Sequence, residues 1–369
     1  NIPEKKIWFF SISSNNYEAL NLIKNNIENS IFVEPHSFKV KSNSGYRLNL
    51  QFKFFYDVLF LINLLFFKSK NKNLKVKVFY DLLFKSNGVY SECIRVLNCY
   101  KPKGIVFAND HEIMPRGLLL AAKHLEIPTF YIQHASVSNY FPALDFDYAL
   151  LEGQDSKDKY LKIGETNSEI YLVGMPKFDK YVEFVNTNKV IRKIGVAYNA
   201  MDSIDKISKV SNKLKEAFPD LDFIIRPHPA DTRDLNIKGM KKSNPKEETA
   251  FHFLSKLDAL IAAESSIHLE AIMLNVYSMS FNFNESQFLD YYGFVKNNLI
   301  KHFDNINDLE DEIKKNKQTK PNVQQKAIYY NAALNSDFYG KSVERIHGII
   351  KSRTQWIFVV IKSFITRLN

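Results

Sequence analysis

Residues 103–133, KGIVFANDHEIMPRGLLLAAKHLEIPTFYIQ, decide the fold. The apolar run 104–108 has strand length, segment 116–125 is amphipathic with helical spacing, and after Pro128 a second apolar run occupies 129–133. Strand-length runs alternating with helix-length patterns mark βαβ units and a parallel sheet. Working outward, the same alternation predicts strands at 7–12, 148–152 and 170–173. A second series opens with a strand at 193–198, a helix near 207–218 and a strand at 222–226, and continues with strands at 258–263 and 276–281. Between the two series, residues 175–188 carry Pro176 and then polar residues, the pattern of a linker. Residues 238–248 are charged and contain Pro245, which reads as a mobile loop. A final helical region, 323–351, is long enough to cross back over the first half.

The chain has 369 residues, and at roughly 100–200 residues per domain it divides into two α/β domains. Hydrophobic residues at 45% and charged residues at 24% exclude wholesale disorder and fibrous architectures. Fifty Lys and Arg against forty Asp and Glu give a net charge of +10, which favours an anionic partner. Cys93 and Cys99 lack zinc-site spacing and fit a reducing cytoplasm. The opening residues show no basic region followed by an apolar core, so no secretory leader is expected in them. Aromatics are abundant, 30 Phe and 19 Tyr beside only 12 Gly, and supply core packing, stacking or membrane-surface contacts. The longest apolar stretch, 54–67, contains Asp57 and Asn63 and is shorter than the ~20 residues of a membrane span, so a buried helix is predicted.

Three constellations stand at or just beyond the carboxyl ends of predicted strands, where open α/β sheets place their ligands. Asn109, Asp110, His111 and Glu112 follow the first strand of the quoted stretch, and their carboxylates suit a general base or a helix cap. Gln133, His134, Ala135 and Ser136 follow the second, placing an imidazole and a hydroxyl at the cleft. The third is Arg226, Pro227, His228 and Pro229, with Glu264, Ser265, Ser266 and Glu270 some forty residues later. Arg226 and His228 can donate to a phosphate, and the prolines fix the turn. Ser265 and Ser266 open a helix whose first amides favour an anion, and Glu270 is placed to accept ribose hydroxyls.

Other motifs fail. Gly340-Lys341-Ser342 ends like a phosphate-binding loop, but Asn335 occupies the position of its first glycine and no strand precedes it. Asp145-Phe146-Asp147 precedes its strand and reads as a turn instead of a metal-binding pair. No GxGxxG, HExxH or GxSxG is present, which disfavours dehydrogenases, zincins and α/β-hydrolases.

Arg226-Pro227-His228-Pro229 with Ser265-Ser266 resembles the HP and paired-Ser motifs of bacterial capsule and lipopolysaccharide sialyltransferases, polysialyltransferases and Kdo transferases of the GT-B class. Gln133-His134, His228-Pro229 and Ser265-Ser266 together are also similar to the CDP-glycerol glycerophosphotransferases. Gly340-Lys341-Ser342, followed by Glu344-Arg345-Ile346, matches the start of the last helix in such proteins. The resemblance covers roughly 104–283 and this helix. It implies a GT-B fold, two Rossmann-like domains facing a central cleft, with an acceptor-binding domain over 1–180 and a nucleotide-donor-binding domain over 190–345. His228 would contact the donor phosphate with Arg226, Pro229, Glu264, Ser265 and Ser266 around the nucleotide, and Glu270 would meet the ribose. The base lies among Asp110, Glu112 and His134; the glycine that follows the acidic pair in the sialyltransferases is missing here, and Ala135 replaces the glycine that usually follows the first His in the glycerophosphotransferases.

The function expected is metal-independent, inverting transfer of an acidic sugar, a nonulosonic acid or Kdo, from a CMP-sugar to a hydroxyl of a surface polysaccharide or lipid-linked glycan. No cofactor is expected. The alternative is transfer of a CDP-linked glycerol or ribitol phosphate; a different-class alternative is a non-catalytic nucleotide- or nucleic-acid-binding protein, although no nucleic-acid motif is present. Residues 346–369 read as an amphipathic basic helix: Ile357, Val360, Ile361, Phe364 and Leu368 share one face, with Lys351, Arg353, Lys362 and Arg367 around it and Trp356 at headgroup level. Its two readings are peripheral attachment to the cytoplasmic face of the inner membrane and packing on protein.

Overall fold

A computed structural model of the chain describes residues 2–35, 45–48, 62, 70–138, 140–284 and 288–354. Seven parallel strands form the first sheet: β1 (Ile7–Phe10), β2 (Ser30–Pro35), β3 (Tyr46–Leu48), β4 (Gly104–Phe107), β5 (Thr129–Ile132), β6 (Tyr148–Leu151) and β7 (Glu169–Leu172). Their order is β3-β2-β1-β4-β5-β6-β7. A second sheet of six parallel strands runs β10-β9-β8-β11-β12-β13, comprising β8 (Lys193–Tyr198), β9 (Asp222–Pro227), β10 (Lys241–Lys242), β11 (Ala259–Ala262), β12 (Tyr277–Phe281) and β13 (Lys301–Phe303). In both, the chain starts mid-sheet, winds to one edge and then returns to build the other. The points of reversal lie between β1 and β4 and between β8 and β11, and adjoining loops diverge there to leave a crevice.

Burial on both faces explains why the central strands read as unbroken apolar runs. In the first sheet Trp8, Phe10, Ile105 and Phe107 point to one face, against Cys93, Val96 and Leu97 of the helix Lys70–Tyr100 and Leu118 and Ala122 of the helix Ile113–His124. Ile7, Phe9, Val106 and Phe130 point to the other, against Leu20 and Ile23 of the helix Ser14–Lys24. Ile346 and Ile350 complete that second face. They belong to a helix over 342–354, so the chain does cross back over the first sheet.

That last helix differs from its sequence reading. A single helical region over 323–351 is predicted, but the structure has a 3₁₀ turn, Gln324–Ala327, then turns, and the helix only from 342. Asn331 breaks the pattern because its buried side chain accepts from the Met175 amide at 3.2 Å and the Ala333 amide at 3.0 Å. Gly340 adds a left-handed residue at φ 72°. The linker is also structured: Pro176–Phe184 is a 3₁₀ helix, and its Asp179 accepts from the Val343 amide at 2.8 Å, capping the returning helix. Gly174, at φ 80°, lies two residues before the 3₁₀ helix, where a Cβ would be 2.6 Å from both the Ala333 Cβ and the Ser342 hydroxyl. Residues 238–248 are not a free loop, since Lys241–Lys242 pair with β9. Apart from Ile62, residues 54–67 lie outside the described residues, as do 355–369. Arg353, counted among the tail's cations, pairs with Glu169 at 2.5 Å and lies over the Tyr148 ring. Among the described residues no helix is long and apolar enough to cross a membrane.

Candidate functional site

Two adjoining cavities of 480 and 630 Å³ open at the strand ends, sharing Asn15, Glu18, Thr249, Ala250, Ser266 and Glu270 in their walls. Both halves of the chain line each of them. The larger is bounded by the turn after β9 and the loop after β11. There the His228 amide donates to the Tyr198 carbonyl at 2.8 Å, and Nδ1 accepts from the Ala230 amide at 3.1 Å. With Nδ1 occupied as an acceptor, the neutral ring carries its proton on Nε2, the nitrogen free to donate to a ligand. Pro227 and Pro229 flank the imidazole and limit its backbone freedom.

Ser265 and Ser266 line the same cavity. Ser265 Oγ accepts from the Ile267 amide at 3.3 Å, whereas Ser266, the residue before the helix Ile267–Met273, makes no side-chain capping bond. His268 fixes the loop from below, with Nε2 2.9 Å from the Ala263 carbonyl and Nδ1 2.7 Å from Ser278 Oγ. Burial pushes its pKa down to about 4, so it serves as a neutral structural bridge.

Other members of the predicted set are placed differently. Arg226 borders the larger cavity, but its guanidinium donates to Ser243 Oγ at 2.6 Å and to the Glu248 carbonyl at 3.0 Å, and it lies over the Phe253 ring. Its immediate work is to hold the 243–248 segment that walls the cavity. Pro229 is exposed at the rim. Glu264 lines neither cavity, because its carboxylate accepts from the Tyr291 amide. Glu270 is buried in the shared wall and accepts from Lys177 Nζ at 2.5 Å.

Of the three candidate bases on the first-sheet side, His134 lines one of these two cavities and Asp110 and Glu112 line neither. His134 borders the smaller one with Gln133, Ala135 and Ser136; its Nε2 is 3.4 Å from Asn16 Nδ2, and Nδ1 is buried without a partner among the described residues. Burial, with Lys177 and His111 adding to it, lowers its pKa to about 4 and leaves the ring neutral. Asp110 is buried, lines neither cavity, and lies 2.6 Å from Arg116 Nη1. Burial raises its pKa to about 6 against the pull of Arg116. Glu112 is exposed and precedes the helix Ile113–His124 without capping it.

Two residues of the cavity wall have no place in the predicted set. Glu152 follows β6, and Gln133 clamps it: Gln133 Oε1 accepts from the Glu152 amide at 2.9 Å while Nε2 donates to the Ala135 carbonyl at 2.9 Å. Burial raises the Glu152 carboxyl to about 7, Lys177 opposing and Glu270 reinforcing the shift. Lys177 comes from the linker; burial works against its charge, but Glu270 and Glu152 outweigh that and hold its pKa above the ordinary value. The polar residue closing an apolar strand was a usable signal for Glu152. Lys177 offered none, since its partners are remote in sequence. Among the described residues no three His, Cys, Asp or Glu side chains gather as metal ligands.

No known family profile and no curated protein sequence matches the chain. Solved structures do. UDP-GlcNAc 2-epimerase from Neisseria meningitidis, bound to UDP-GlcNAc, superposes with a TM-score of 0.60 at 14% identity, covering 95% of this chain and 100% of that one. The wall teichoic acid polymerase TagF gives 0.58 at 12% identity over 96% and 90% of the two chains. The glycosyltransferase SnogD from Streptomyces nogalater gives 0.52 at 9% identity over 94% and 99%. The fold is GT-B. Two Rossmann-like sheets and a cleft between them are common to this chain and that set, so the fold expected from the strand-end motifs is the one observed.

Proposed function

We propose that the chain is an inverting glycosyltransferase that moves an acidic sugar from a CMP-linked donor to a hydroxyl of a bacterial surface glycan. The observation that carries this reading is the meeting of His228 with Ser265 and Ser266 in one cavity, Glu270 closing its inner wall. In such a reaction the acceptor oxygen attacks the anomeric carbon, and the bond from that carbon to the phosphate oxygen breaks. Its electron pair leaves with CMP while the acceptor proton passes to a base. Negative charge therefore grows on the phosphate, where His228 and Ser265, each held by a loop amide, and the Ser266 hydroxyl would receive it. These are protein donors, so turnover is expected to persist in EDTA. Glu270 would accept the ribose hydroxyls, held in place by its contact with Lys177.

His134 is our assignment for the base: it lines the smaller cavity adjoining that of His228 and is neutral, whereas Asp110 is committed to Arg116 and Glu112 faces solvent. A second reading, transfer of a CDP-linked polyol phosphate, draws on the likeness to TagF, and the likeness to epimerases makes UDP-sugars a necessary control. The deciding experiment compares thermal stabilisation by CMP, CDP and UDP and follows nucleotide release from a panel of CMP-, CDP- and UDP-linked donors. Selective stabilisation by CMP, with release that falls about 10²–10³-fold in His228→Ala, supports the proposal. Undiminished release in that variant, or turnover confined to CDP-polyols or UDP-sugars, overturns it.

A further inference from the structure

We propose that Tyr140 and Tyr291 form a stacking platform for a sugar ring of the acceptor glycan, at the outer edge of the cleft. Calling its occupant the acceptor rests on the transferase reading; that it takes a sugar ring rests on the geometry below. Tyr140 is 85% exposed and Tyr291 43% exposed, and their rings lie nearly parallel, 19° apart with centroids separated by 6.1 Å. One ring comes from the loop after β5 and the other from the connection after β12, so each half of the molecule supplies one. Exposed aromatics occurring singly are ordinary on a protein surface. A stacked pair assembled from two halves and held by polar bonds is a different object.

The hold is specific. Ser138 Oγ donates to the Tyr291 hydroxyl at 3.0 Å, the Tyr291 amide donates to Glu264, and Lys159 Nζ donates to the Tyr292 carbonyl at 2.8 Å. These contacts also place the platform. Glu264 immediately precedes Ser265 of the phosphate-side wall, and Ser138 lies two residues beyond Ser136 of the base-side wall. Phe141, the next residue after Tyr140, sets its ring against His111 with centroids 4.4 Å apart. The pair thus stands where loops from the ends of β4, β5, β11 and β12 converge, beside the cavities and open to solvent.

The chemistry of such a surface selects its occupant. A pyranose presents a flat patch of C–H groups on one face and hydroxyls around its edge, matching an aromatic face with a polar tip. With Tyr291 stacked behind it, the largely exposed Tyr140 ring offers its open face to one unit of a polymer whose terminal hydroxyl enters the cleft. An open-chain polyol phosphate has no ring face to offer. The platform would thereby favour glycans over polyol polymers without touching the reacting atoms.

The test titrates the full chain, without donor, with sialyllactose, lactose and an N-acetylglucosamine tetramer, using oligo(glycerol phosphate) as the ring-free control. At least one saccharide is expected to bind, with affinity reduced at least tenfold in Tyr140→Ala and retained within about twofold in Tyr140→Phe and Tyr140→Trp. Thermal melting of each variant confirms folding, which the exposure of Tyr140 favours. Absence of saccharide binding at millimolar concentration, equal binding by Tyr140→Ala, or preference for the polyol overturns the platform. Stabilisation by CMP is read separately. Platform failure with CMP binding intact leaves the transferase standing, and Tyr140-dependent glycan binding without turnover of any donor leaves the platform standing alone.

Discussion

At the carboxyl end of the second sheet the side chains are oriented by hydrogen bonds from their own loops. His228 is set by Ala230, Ser265 by Ile267, and His268 is engaged at both ring nitrogens. At the end of the first sheet burial displaces Asp110 to about 6, Glu152 to about 7 and His134 to about 4, whereas at the second sheet His268, also displaced to about 4, is locked as a bridge at both ring nitrogens. On the transferase reading, one half would supply fixed donors and the other the group that takes the acceptor proton. This division suits a reaction in which charge accumulates on a leaving phosphate while a proton is removed from an attacking hydroxyl.

The severest way to break the comparison is His134→Ala. If proton removal belongs to the first sheet alone, transfer falls about 10²–10⁴-fold while stabilisation by CMP is retained. An equal loss of CMP binding would show that the two halves do not divide the work.

A smaller effect is expected from Glu152→Gln. The folded carboxyl holds its proton up to about pH 7, while an unfolded glutamate releases it near its ordinary value of 4.5. Across that window the native state binds more protons than the unfolded state, so this group's contribution to stability falls as pH rises from about 4.5 to 7. The Gln variant lacks this loss and should melt about 2–4 °C above the parent at pH 8, with the difference shrinking toward pH 5. Melting curves that stay parallel across that range would mean Glu152 is not buried as a neutral acid.

The smallest effect concerns the returning helix. Arg353 is half-buried, pairs with Glu169 and donates to the Tyr171 hydroxyl, and Arg353→Ala should cost about 1 kcal/mol and leave vesicle flotation unchanged. Deletion of 355–369 should abolish flotation on anionic vesicles if the tail binds membrane. Equal flotation with and without it removes that role.

Legibility in the sequence followed burial. The predicted strands from 104 to 173 and from 193 to 281 lie within one or two residues of β4–β9, β11 and β12; strands covered on both faces must be apolar throughout, and the edge strand β7, though not buried, still carries an apolar run. β3, β10 and β13 are edge strands of two or three residues and leave no such run. β2 was missed although longer, with Glu34 interrupting its apolar residues. The helix Lys70–Tyr100 was missed too, since Lys and Asn are scattered through its first turns. His228, Ser265 and Ser266 could be picked out because strand ends are marked locally. Arg226 and Glu264 looked equivalent on paper, and only the folded loops show one bound to Ser243 and Glu248 and the other to Tyr291.

The helix over 342–354 has a consequence for synthesis. Its Ile346 and Ile350 cover Phe9, Val106 and Phe130, which are translated more than two hundred residues earlier. A ribosome therefore releases the first sheet with one apolar face unfinished and must complete the whole second sheet before the covering residues emerge. During that interval the exposed face is a site for chaperones or for self-association. The amino-terminal half, although it has a sheet of its own, therefore has that face completed only by residues from the far end of the described chain.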